Sequence, residues 1–577
     1  MKKLSIHIRL LTVFTFIVLF ALFFWRQIFA GEVLYCCDNL LINIPSKVYL
    51  VQELKSFRFP LWNPYIFSGT PFFADINNAL LYPLNILYAI MPPFRALPSV
   101  IVVNFLLAFI GTYLFARRLA MSQFSGFVSA VVFAFSGTMV VYTNNAPMIQ
   151  VAALLPWVLW STDRFLAFPS GKTLIVAVAI AVLQITAGHP QLTFYTWLLT
   201  VAYAVWFYKK KAIPLVLLFV LVVLLSAVQI LPFLEFVLQS TRPLGDYAYA
   251  TFDSLNPLAF ARLIAPPLSG NLSRGYAYFF GGSVYGYVGI AALFLVFIAG
   301  WKRKTVSFFA ISFILAFLLA LGKYTPIFWM AYHLIPGLGS FRSPQHFLLL
   351  YTFSAAILAG FGIERFRSLR IFIFGVILIE LFVFSRNNLL TAPYADVLQW
   401  MVTTEKLVAQ FGPIDRENSR IFVDQNVLPY PDARGWPFND MPGETAWAAT
   451  ILRPNLNMLY RIGSIDGYAS MVLRKYQKYV APQTKDPTGV DLKNVSPETL
   501  KTLGVRYLIT KGTDGKLEVK ELSGWKPQKA VSLPVPTSIW FGLIISIIGL
   551  IATAGIGIMW KEEKLSSKVR LKRQGLR

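Results

Sequence analysis

The chain has 577 residues, of which 56% are hydrophobic and only 14% are charged, and its mean hydropathy is +0.60. An ordinary soluble domain carries about 25% charged residues, so this composition excludes a soluble globular protein and predicts one whose solvent is largely lipid. The net charge of +25 does not indicate nucleic-acid binding, because the basic residues form short clusters between apolar runs and no basic stripe with interleaved aromatic residues occurs.

Apolar runs follow one another along the chain, each close to the length that crosses a hydrocarbon core of about 30 Å as a helix. In chain order they lie near 10–30, 97–116, 123–143, 147–162, 173–188, 190–208, 212–234, 285–301, 305–321, 346–363, 370–385 and 538–560. The sequence therefore predicts an all-α polytopic membrane protein with about twelve transmembrane helices.

The basic clusters predict the orientation of these helices. If the N-terminus is cytoplasmic, the clusters that fall inside are Arg117 and Arg118; Arg164 and Lys172; Lys209 to Lys211; Lys302 to Lys304; Arg365, Arg367 and Arg370; and the basic tail after residue 560. This is the pattern that the positive-inside rule requires, and it predicts a multi-pass plasma-membrane protein with both termini cytoplasmic. The apolar segment Tyr324–Gly337 is short and contains two prolines, which indicates a re-entrant or interfacial helix.

The same pattern divides the chain into three parts. Residues 1–386 form a transmembrane module whose first outer loop is 31–95, and residues 538–577 form the last transmembrane helix with its cytoplasmic tail. Residues 387–537 are predicted to be a small extracytoplasmic α+β domain, because strand-like runs near 420–423, 505–510 and 516–522 alternate with polar and Pro/Gly-rich stretches. The adjacent Cys36 and Cys37 offer no disulfide framework.

The first outer loop is the stretch richest in chemistry, because aromatic residues, prolines and amides interleave densely in it. Asp38 and Asp75 are its only aspartates, and both are predicted to lie close to the membrane surface. A carboxylate there can take a proton from an incoming hydroxyl, and a low dielectric raises its pKa and makes it a better base. The alternative is that both aspartates cap local helices or pair with Arg58.

Several motifs together resemble one family. FPLWNPYIFSGTPFFAD (59–75) followed by YPLN (82–85) resembles the first outer loop of the bacterial YfhO family of membrane proteins. Further matches are NAPMIQVAALLPW (145–157), GHPQ (188–191), FRSPQHF (341–347), PNLNM (454–458), DGY (466–468) and LGVRYLI (503–509). The family more often has Arg where this chain has His346.

The resemblance implies a glycosyltransferase fold of the C type (GT-C), with many transmembrane helices. Such enzymes take a sugar from a polyprenyl-phosphate carrier and pass it to an acceptor outside the cytoplasm, here a cell-wall or surface glycan or a protein. Their base is an acidic residue in the first outer loop. Asp38 occupies the matching position, and Asp75 is the second candidate. Transfer with inversion needs such a carboxylate opposite the leaving group.

A lipid phosphate leaves in this reaction, so positive charge or N–H donors are needed as its negative charge develops. Arg342 is the first candidate for this role and stands out because outer segments are poor in Arg and Lys; the alternative is that it only binds loop carbonyls. The other residues expected to bind substrate are His189, His346, Trp62, Asn63, Tyr65 and Gln191. The alternative for the two histidines is a role at a helix end, and the alternative for the aromatic residues is anchoring at the membrane interface.

No cofactor is expected, since the sequence has neither a phosphate-binding loop nor a dinucleotide fingerprint. A divalent metal at the two aspartates is conceivable chemically, but no tight ligand spacing supports it and none is predicted. Two other classes remain open: a secondary transporter or lipid-glycan flippase, and a non-catalytic envelope assembly protein. The first usually has two related halves with ionisable residues at the midplane, whereas the informative residues here lie in outer loops.

Overall fold

The computed structural model describes residues 17–35, 38–242, 245–264, 286–300, 302–411, 419–424, 427, 450–453, 455–481, 492, 495–512, 516–527 and 536–573. Both cysteines lie outside the described residues. The helices are Trp25–Ile28, Ile44–Lys55, Ile86–Ile90, Pro93–Arg118, Gln123–Ala134, Gly137–Tyr142, Ala146–Ala167, Gly171–Thr186, Pro190–Tyr208, Pro214–Leu225, Ala227–Gln239, Tyr247–Ala250, Phe260–Ile264, Ile290–Ile298, Lys304–Ala320, Pro326–Leu334, Leu348–Ile363, Arg370–Asn388, Tyr394–Val408, Arg474–Val480, Pro497–Thr502 and Thr537–Arg573. The strands are β1 (Glu32–Leu34), β2 (Trp62–Asn63), β3 (Thr70–Pro71), β4 (Thr391–Pro393), β5 (Arg420–Val423), β6 (Gly463–Ser464), β7 (Val505–Lys511) and β8 (Leu517–Glu521).

The chain is a mostly helical membrane protein, but the expected count of about twelve transmembrane helices is not confirmed. Among the described residues, four stretches are long and apolar enough to cross a membrane: Pro93–Arg118, Pro344–Ile363, Arg370–Asn388 and Thr537–Trp560. A fifth would be Pro214–Leu225 with Ala227–Gln239, a pair bent by 74°.

Breaks in the helices account for part of this difference among the described residues. The predicted run 123–143 is divided at Ser136, whose hydroxyl caps a new helix by accepting a hydrogen bond from the Met139 amide at 3.4 Å. The runs near 173–188 and 305–321 form apolar helices of 16 and 17 residues. Hydropathy reports how apolar a segment is, whereas a crossing also needs about 20 continuous helical residues. The short segment Pro326–Leu334 is a helix of nine residues, too short to cross.

The helix Leu348–Ile363 lies at the centre of the membrane module, and all of its residues are buried. It packs on the helices Gln123–Ala134, Ile290–Ile298 and Lys304–Ala320. Gly360 lies against Ser129 and Gly362 against the backbone of Leu295, where any side chain would collide. Small residues allow helices to approach this closely in a membrane, where no hydrophobic force drives them together.

The segment 387–537, predicted to be extracytoplasmic and here called the outer part, contains a four-stranded sheet in the order β6-β5-β7-β8. Strand β5 is parallel to both β6 and β7, while β7 and β8 pair antiparallel. The three runs predicted as strands, near 420–423, 505–510 and 516–522, are therefore confirmed as β5, β7 and β8.

The first outer loop is folded onto this outer part. Strand β1 pairs antiparallel with β4, so the start of the first outer loop and the residues that follow the transmembrane module meet in one small sheet. A buried apolar cluster then joins Tyr49, Phe67 and Phe72 of the loop to residues such as Phe422 and Val505. These long-range contacts order the first outer loop, so its side chains can be positioned for a binding site.

Lys47 makes a testable contribution to this packing. It is buried in the loop, donates hydrogen bonds to the carbonyl oxygens of Asn78 and Ala79, and burial lowers its pKa from 10.5 to about 7. Between these values the unfolded chain binds more protons than the folded one, so the free energy of unfolding should rise with pH. We expect a slope of up to about 1.4 kcal/mol per pH unit in unfolding measured in detergent.

The matched control for this slope is Lys47→Met, which keeps the length of the side chain and removes the titrating group. The variant should lose the rise in stability between pH 7 and 10.5. An equal slope in both proteins would mean that the Lys47 ammonium stays protonated in the folded state.

Candidate active site

A pocket of about 620 Å³ lies where the first outer loop, the segment 337–346 and the outer residues 468–470 meet. Six of the predicted site residues line it together: Asp38, Asp75, His189, Gln191, Arg342 and His346. Distant parts of the chain thus contribute to the same pocket. The predicted residues farthest apart in the sequence, Asp38 and His346, are separated by more than 300 positions.

Asp38 is held at the pocket by two hydrogen bonds to its carboxylate. The Asn145 amide donates to Oδ2 at 2.8 Å, and the Tyr468 hydroxyl donates to Oδ1 at 3.3 Å. Its neighbour Asn39 is buried, donates to the carbonyl of Thr143 at 2.6 Å and fixes the backbone at this point. Burial raises the pKa of Asp38 above its ordinary value, while the two hydrogen bonds and the charge of Arg342 oppose that rise.

Asp75 has a different environment, because it caps the short 3₁₀ helix Ile76–Asn78. Its Oδ1 accepts from the backbone and side-chain nitrogens of Asn77 at 3.1 and 3.0 Å, and its Oδ2 accepts from the Ser470 hydroxyl at 2.8 Å. Burial raises the pKa of Asp75 as well. The capping role weighed from the sequence is thus realised for Asp75, whereas the Asp38 side chain makes no helix-cap hydrogen bond. Arg58 pairs with Glu53 at 2.8 Å and not with either aspartate.

Two arginines, Arg242 and Arg342, line the pocket together with the two aspartates. The backbone carbonyl of Arg342 accepts a hydrogen bond of 2.5 Å from the Gln191 amide, and its guanidinium lies 5.7 Å from the Phe252 ring. Arg242 donates from Nε to the carbonyl of Ser340 at 3.3 Å. The positive charge of Arg342 acts on Asp38 and that of Arg242 acts on Asp75, so the pocket combines two cations with two carboxylates.

The histidines and Gln191 support the pocket wall. His189 Nδ1 accepts from the Leu192 amide at 3.3 Å and so caps the helix Pro190–Tyr208, which is the helix-end role weighed from the sequence. The His346 ring lies 6.0 Å from that of His189, and its Nδ1 is 3.3 Å from the Tyr142 hydroxyl. The Gln191 amide nitrogen also donates to the Tyr195 hydroxyl at 2.9 Å, so its hydrogen bonds position the loop around Arg342.

Three predicted substrate-binding residues do not reach the pocket. Trp62 and Asn63 form β2, which pairs with β3, and the Trp62 indole packs on Gly69. Asn63 is buried and accepts from the Tyr65 amide at 2.9 Å, while the Tyr65 carbonyl accepts from the Asn457 amide at 2.8 Å. These contacts attach the first outer loop to the outer part. Sugar stacking by Trp62 or Tyr65 stays a prediction, and neither residue lines the pocket.

Among the pocket residues that the sequence reasoning missed, four interact with the two aspartates: Asn145, Arg242, Tyr468 and Ser470. A signal existed for Arg242, because the positions of the basic clusters also predict the segment 235–284 to be outside, and an arginine in an outer segment is the criterion that selected Arg342. Asn145 and Tyr468 lie within motifs quoted above, but their roles depend on which side chain they meet. Within the described residues, no group of three or more His, Cys, Asp or Glu side chains forms a metal site, and metal dependence stays untested.

No protein-family model matches the sequence, and no curated protein matches it. Solved structures resemble the fold. The cryo-EM structure of the arabinofuranosyltransferase AftD from mycobacteria has a TM-score of 0.51 at 13% identity, covering 87% of this chain and 35% of the AftD chain. A mutant of the same enzyme has a TM-score of 0.49 at 14% identity, covering 87% and 36%.

This chain thus spans only about a third of the length of the enzyme it resembles. The likeness shows a shared fold, and it confirms the expected fold class in its coarse form: a mostly helical membrane protein whose fold is similar to that of AftD. The resemblance to the YfhO family remains a prediction from the motifs.

Proposed function

We propose that this protein is a membrane glycosyltransferase that moves a sugar from a polyprenyl-phosphate carrier to an extracytoplasmic acceptor with inversion. The acceptor is a cell-wall or surface glycan or a protein. One observation carries the proposal: Asp38, a carboxylate with a raised pKa, shares a pocket with Arg242 and Arg342 in a fold shared with a glycosyltransferase. The proposed reaction requires no cofactor.

Asp38 is the proposed base. Transfer with inversion needs a carboxylate that accepts the proton of the acceptor hydroxyl while the oxygen attacks the anomeric carbon from the face opposite the leaving group. The hydrogen bonds from Asn145 and Tyr468 fix the orientation of the Asp38 carboxylate. Raising its pKa towards the working pH strengthens it as a base.

Arg342 and Arg242 are the proposed ligands of the lipid phosphate. Negative charge grows on the phosphate as the bond to the sugar breaks, and preorganised cations stabilise that charge. Gln191 does not bind the phosphate in this proposal; its amide donates a hydrogen bond to the backbone carbonyl of Arg342 and so positions that arginine. His189 and His346 also line this pocket.

The apolar side of the pocket supports a lipid-linked donor. It is formed by Phe233, Leu234, Val237 and Leu238 of the helix Ala227–Gln239, and Leu234 and Leu238 are also exposed on the outside of the protein. A polyprenyl chain can follow this surface from the pocket to the bilayer, whereas a soluble sugar nucleotide would gain nothing from it.

Turnover of the full-length protein tests the proposal. Protein purified in detergent is mixed with a panel of polyprenyl-phosphate sugars and candidate acceptors, and the release of free polyprenyl phosphate is measured. Release that depends on the protein supports the transferase. Movement of intact lipid-linked sugar across the membrane of proteoliposomes, with no release of polyprenyl phosphate, would instead support a flippase. If the protein showed neither activity, the result would favour a non-catalytic assembly protein.

A hydrogen-bond variant gives a further expected result. Tyr468→Phe removes a donor that stabilises the charged Asp38 carboxylate, so the pKa of Asp38 should rise further. The base works only when ionised, and the acid limb of kcat/KM should therefore shift to higher pH by up to about one unit. Tyr479→Phe, an exposed tyrosine of the same outer part, is the matched control and should leave the profile unchanged. An unshifted profile in Tyr468→Phe would contradict Asp38 as the titrating base.

A further inference from the structure

A second and larger cavity, of about 1330 Å³, lies far from the candidate active site. We call it the basic cavity. Its lining residues are Arg117, Ala120, Met121, Ser122, Phe124, Ser125, Ala299, Gly300, Lys302, Arg303, Phe361, Ile363, Glu364, Arg365, Arg367 and Arg370. None of them lines the pocket that holds Asp38.

The basic cavity lies at the opposite membrane boundary from the candidate active site. The helix Leu348–Ile363 begins beside His346 at that site and ends at Ile363 in the basic cavity; its 16 residues extend about 24 Å. Three clusters that the sequence predicts to be cytoplasmic, around Arg117, Lys302 and Arg365, meet here. Each belongs to a different loop, and only the packing of the helices brings them together.

The charges around the basic cavity do not balance. Six cationic side chains line it against the single carboxylate of Glu364. That carboxylate is already engaged, since Oε2 lies 3.8 Å from Arg303 and Oε1 accepts from the Ser122 amide at 3.1 Å. Lys302, Arg365 and Arg367 have no carboxylate at ion-pair distance in the described part of the chain. Uncompensated positive charge in a concave site attracts anions.

The protein itself holds several of these cations in place. The Arg365 guanidinium occupies the space where a side chain at residue 300 would lie, and only glycine, here with φ +79°, leaves that space open. Arg117 donates to the Met121 carbonyl, and the Arg370 guanidinium lies 5.2 Å from the Phe124 ring. Fixed guanidinium groups match the geometry of phosphate oxygens better than mobile ammonium groups.

The surroundings identify the kind of anion. Leu369, Ile371 and Phe372 flank the basic residues Arg367 and Arg370 in the sequence and are exposed on the outside of the helix bundle. Phe361 and Phe124 provide apolar wall within the cavity. A phosphate that arrives with acyl chains can place them on this apolar surface, whereas a free phosphate cannot use it.

We propose that the basic cavity binds the phosphate headgroup of an anionic phospholipid, in the leaflet opposite the candidate active site. Basic cavities between transmembrane helices at this boundary are suited to such headgroups. A lipid bound there would neutralise three converging cationic loops and hold the ends of six helices together.

Lipid binding to the full-length protein tests this inference. The purified protein is delipidated and titrated with phosphatidylglycerol or phosphatidylcholine, and bound lipid is counted by native mass spectrometry. Phosphatidylglycerol should bind in preference. The triple variant Lys302→Ala, Arg365→Ala, Arg367→Ala should weaken its binding by on the order of 100-fold, because each cation near anionic lipid contributes about fivefold.

Matched variants separate the site from general charge. Lys209→Ala, Lys210→Ala, Lys211→Ala removes three exposed cations of another predicted cytoplasmic loop and should leave phosphatidylglycerol binding unchanged. Arg365→Lys with Arg367→Lys keeps the charge that orients the protein in the membrane but loses the planar donors, and should weaken binding less than the triple variant. Equal weakening by both triple variants would overturn the inference. Displacement of the lipid by equimolar inorganic phosphate would overturn the lipid assignment.

Discussion

Asp38→Asn is expected to lower kcat for release of polyprenyl phosphate by at least about 100-fold, because a positioned general base contributes on this scale or more. Asparagine keeps the shape of the side chain, and its oxygen can still accept the hydrogen bond that the Asn145 amide donates at 2.8 Å. What disappears is the ability to take the proton of the acceptor hydroxyl. The measurement is steady-state turnover with saturating donor, with folding checked by unfolding in detergent.

Two further aspartate variants make this result specific. Asp396→Asn alters an exposed aspartate on the helix Tyr394–Val408, outside the pocket, and should keep full turnover. Asp75→Asn should mainly reduce stability by about 1 kcal/mol, because Asp75 caps the turn Ile76–Asn78 and binds Ser470. Full activity of Asp38→Asn together with inactive, folded Asp75→Asn would assign the base to Asp75.

Arg342→Ala is expected to lower kcat by about 100- to 1000-fold, the usual cost of removing one preorganised group that stabilises developing negative charge. The guanidinium of Arg342 faces the pocket from a loop held by Gln191. Arg342→Lys should recover part of the loss, because an ammonium supplies charge without the planar pair of donors.

A control has to distinguish the loss of Arg342 at this position from the loss of any positive charge near the pocket. Lys323→Ala removes an exposed cation that does not line the pocket, from the segment 322–345 that is predicted to be outside and that also contains Arg342. Its turnover should match the wild type. Comparison with Arg242→Ala then shows which arginine binds the leaving phosphate. Turnover within a few-fold of the wild type in Arg342→Ala, with a collapse in Arg242→Ala, would move the role to Arg242.

The membrane class of this protein could be predicted from the sequence, as could six of the residues that line the candidate pocket. Composition is a property of the chain alone, and apolar blocks between basic clusters predict a membrane protein whatever the packing. Local strand propensity likewise identified β5, β7 and β8. The first outer loop was singled out because aromatic residues, prolines and amides interleave densely in it, and its two aspartates, Asp38 and Asp75, both line the pocket.

The count of helices that cross the membrane was not predictable to the same degree. A hydropathy window cannot detect that Ser136 starts a new helix or that the pair Pro214–Leu225 and Ala227–Gln239 bends by 74°. Such breaks are tolerated only where neighbouring helices bury the freed backbone groups, and burial is a property of the packed molecule.

What the sequence by itself determined is the solvent of this protein, its charge pattern and the residue types available for chemistry. The tertiary structure alone decided which of them meet: Asn145 and Tyr468 on Asp38, Arg242 beside Arg342, and Trp62 in the packing of the loop and not in the pocket. The physical reason is range. Hydropathy and propensity act between near neighbours in the chain, whereas hydrogen bonds and electrostatic contacts act between neighbours in space, and here those neighbours are separated by up to 430 positions.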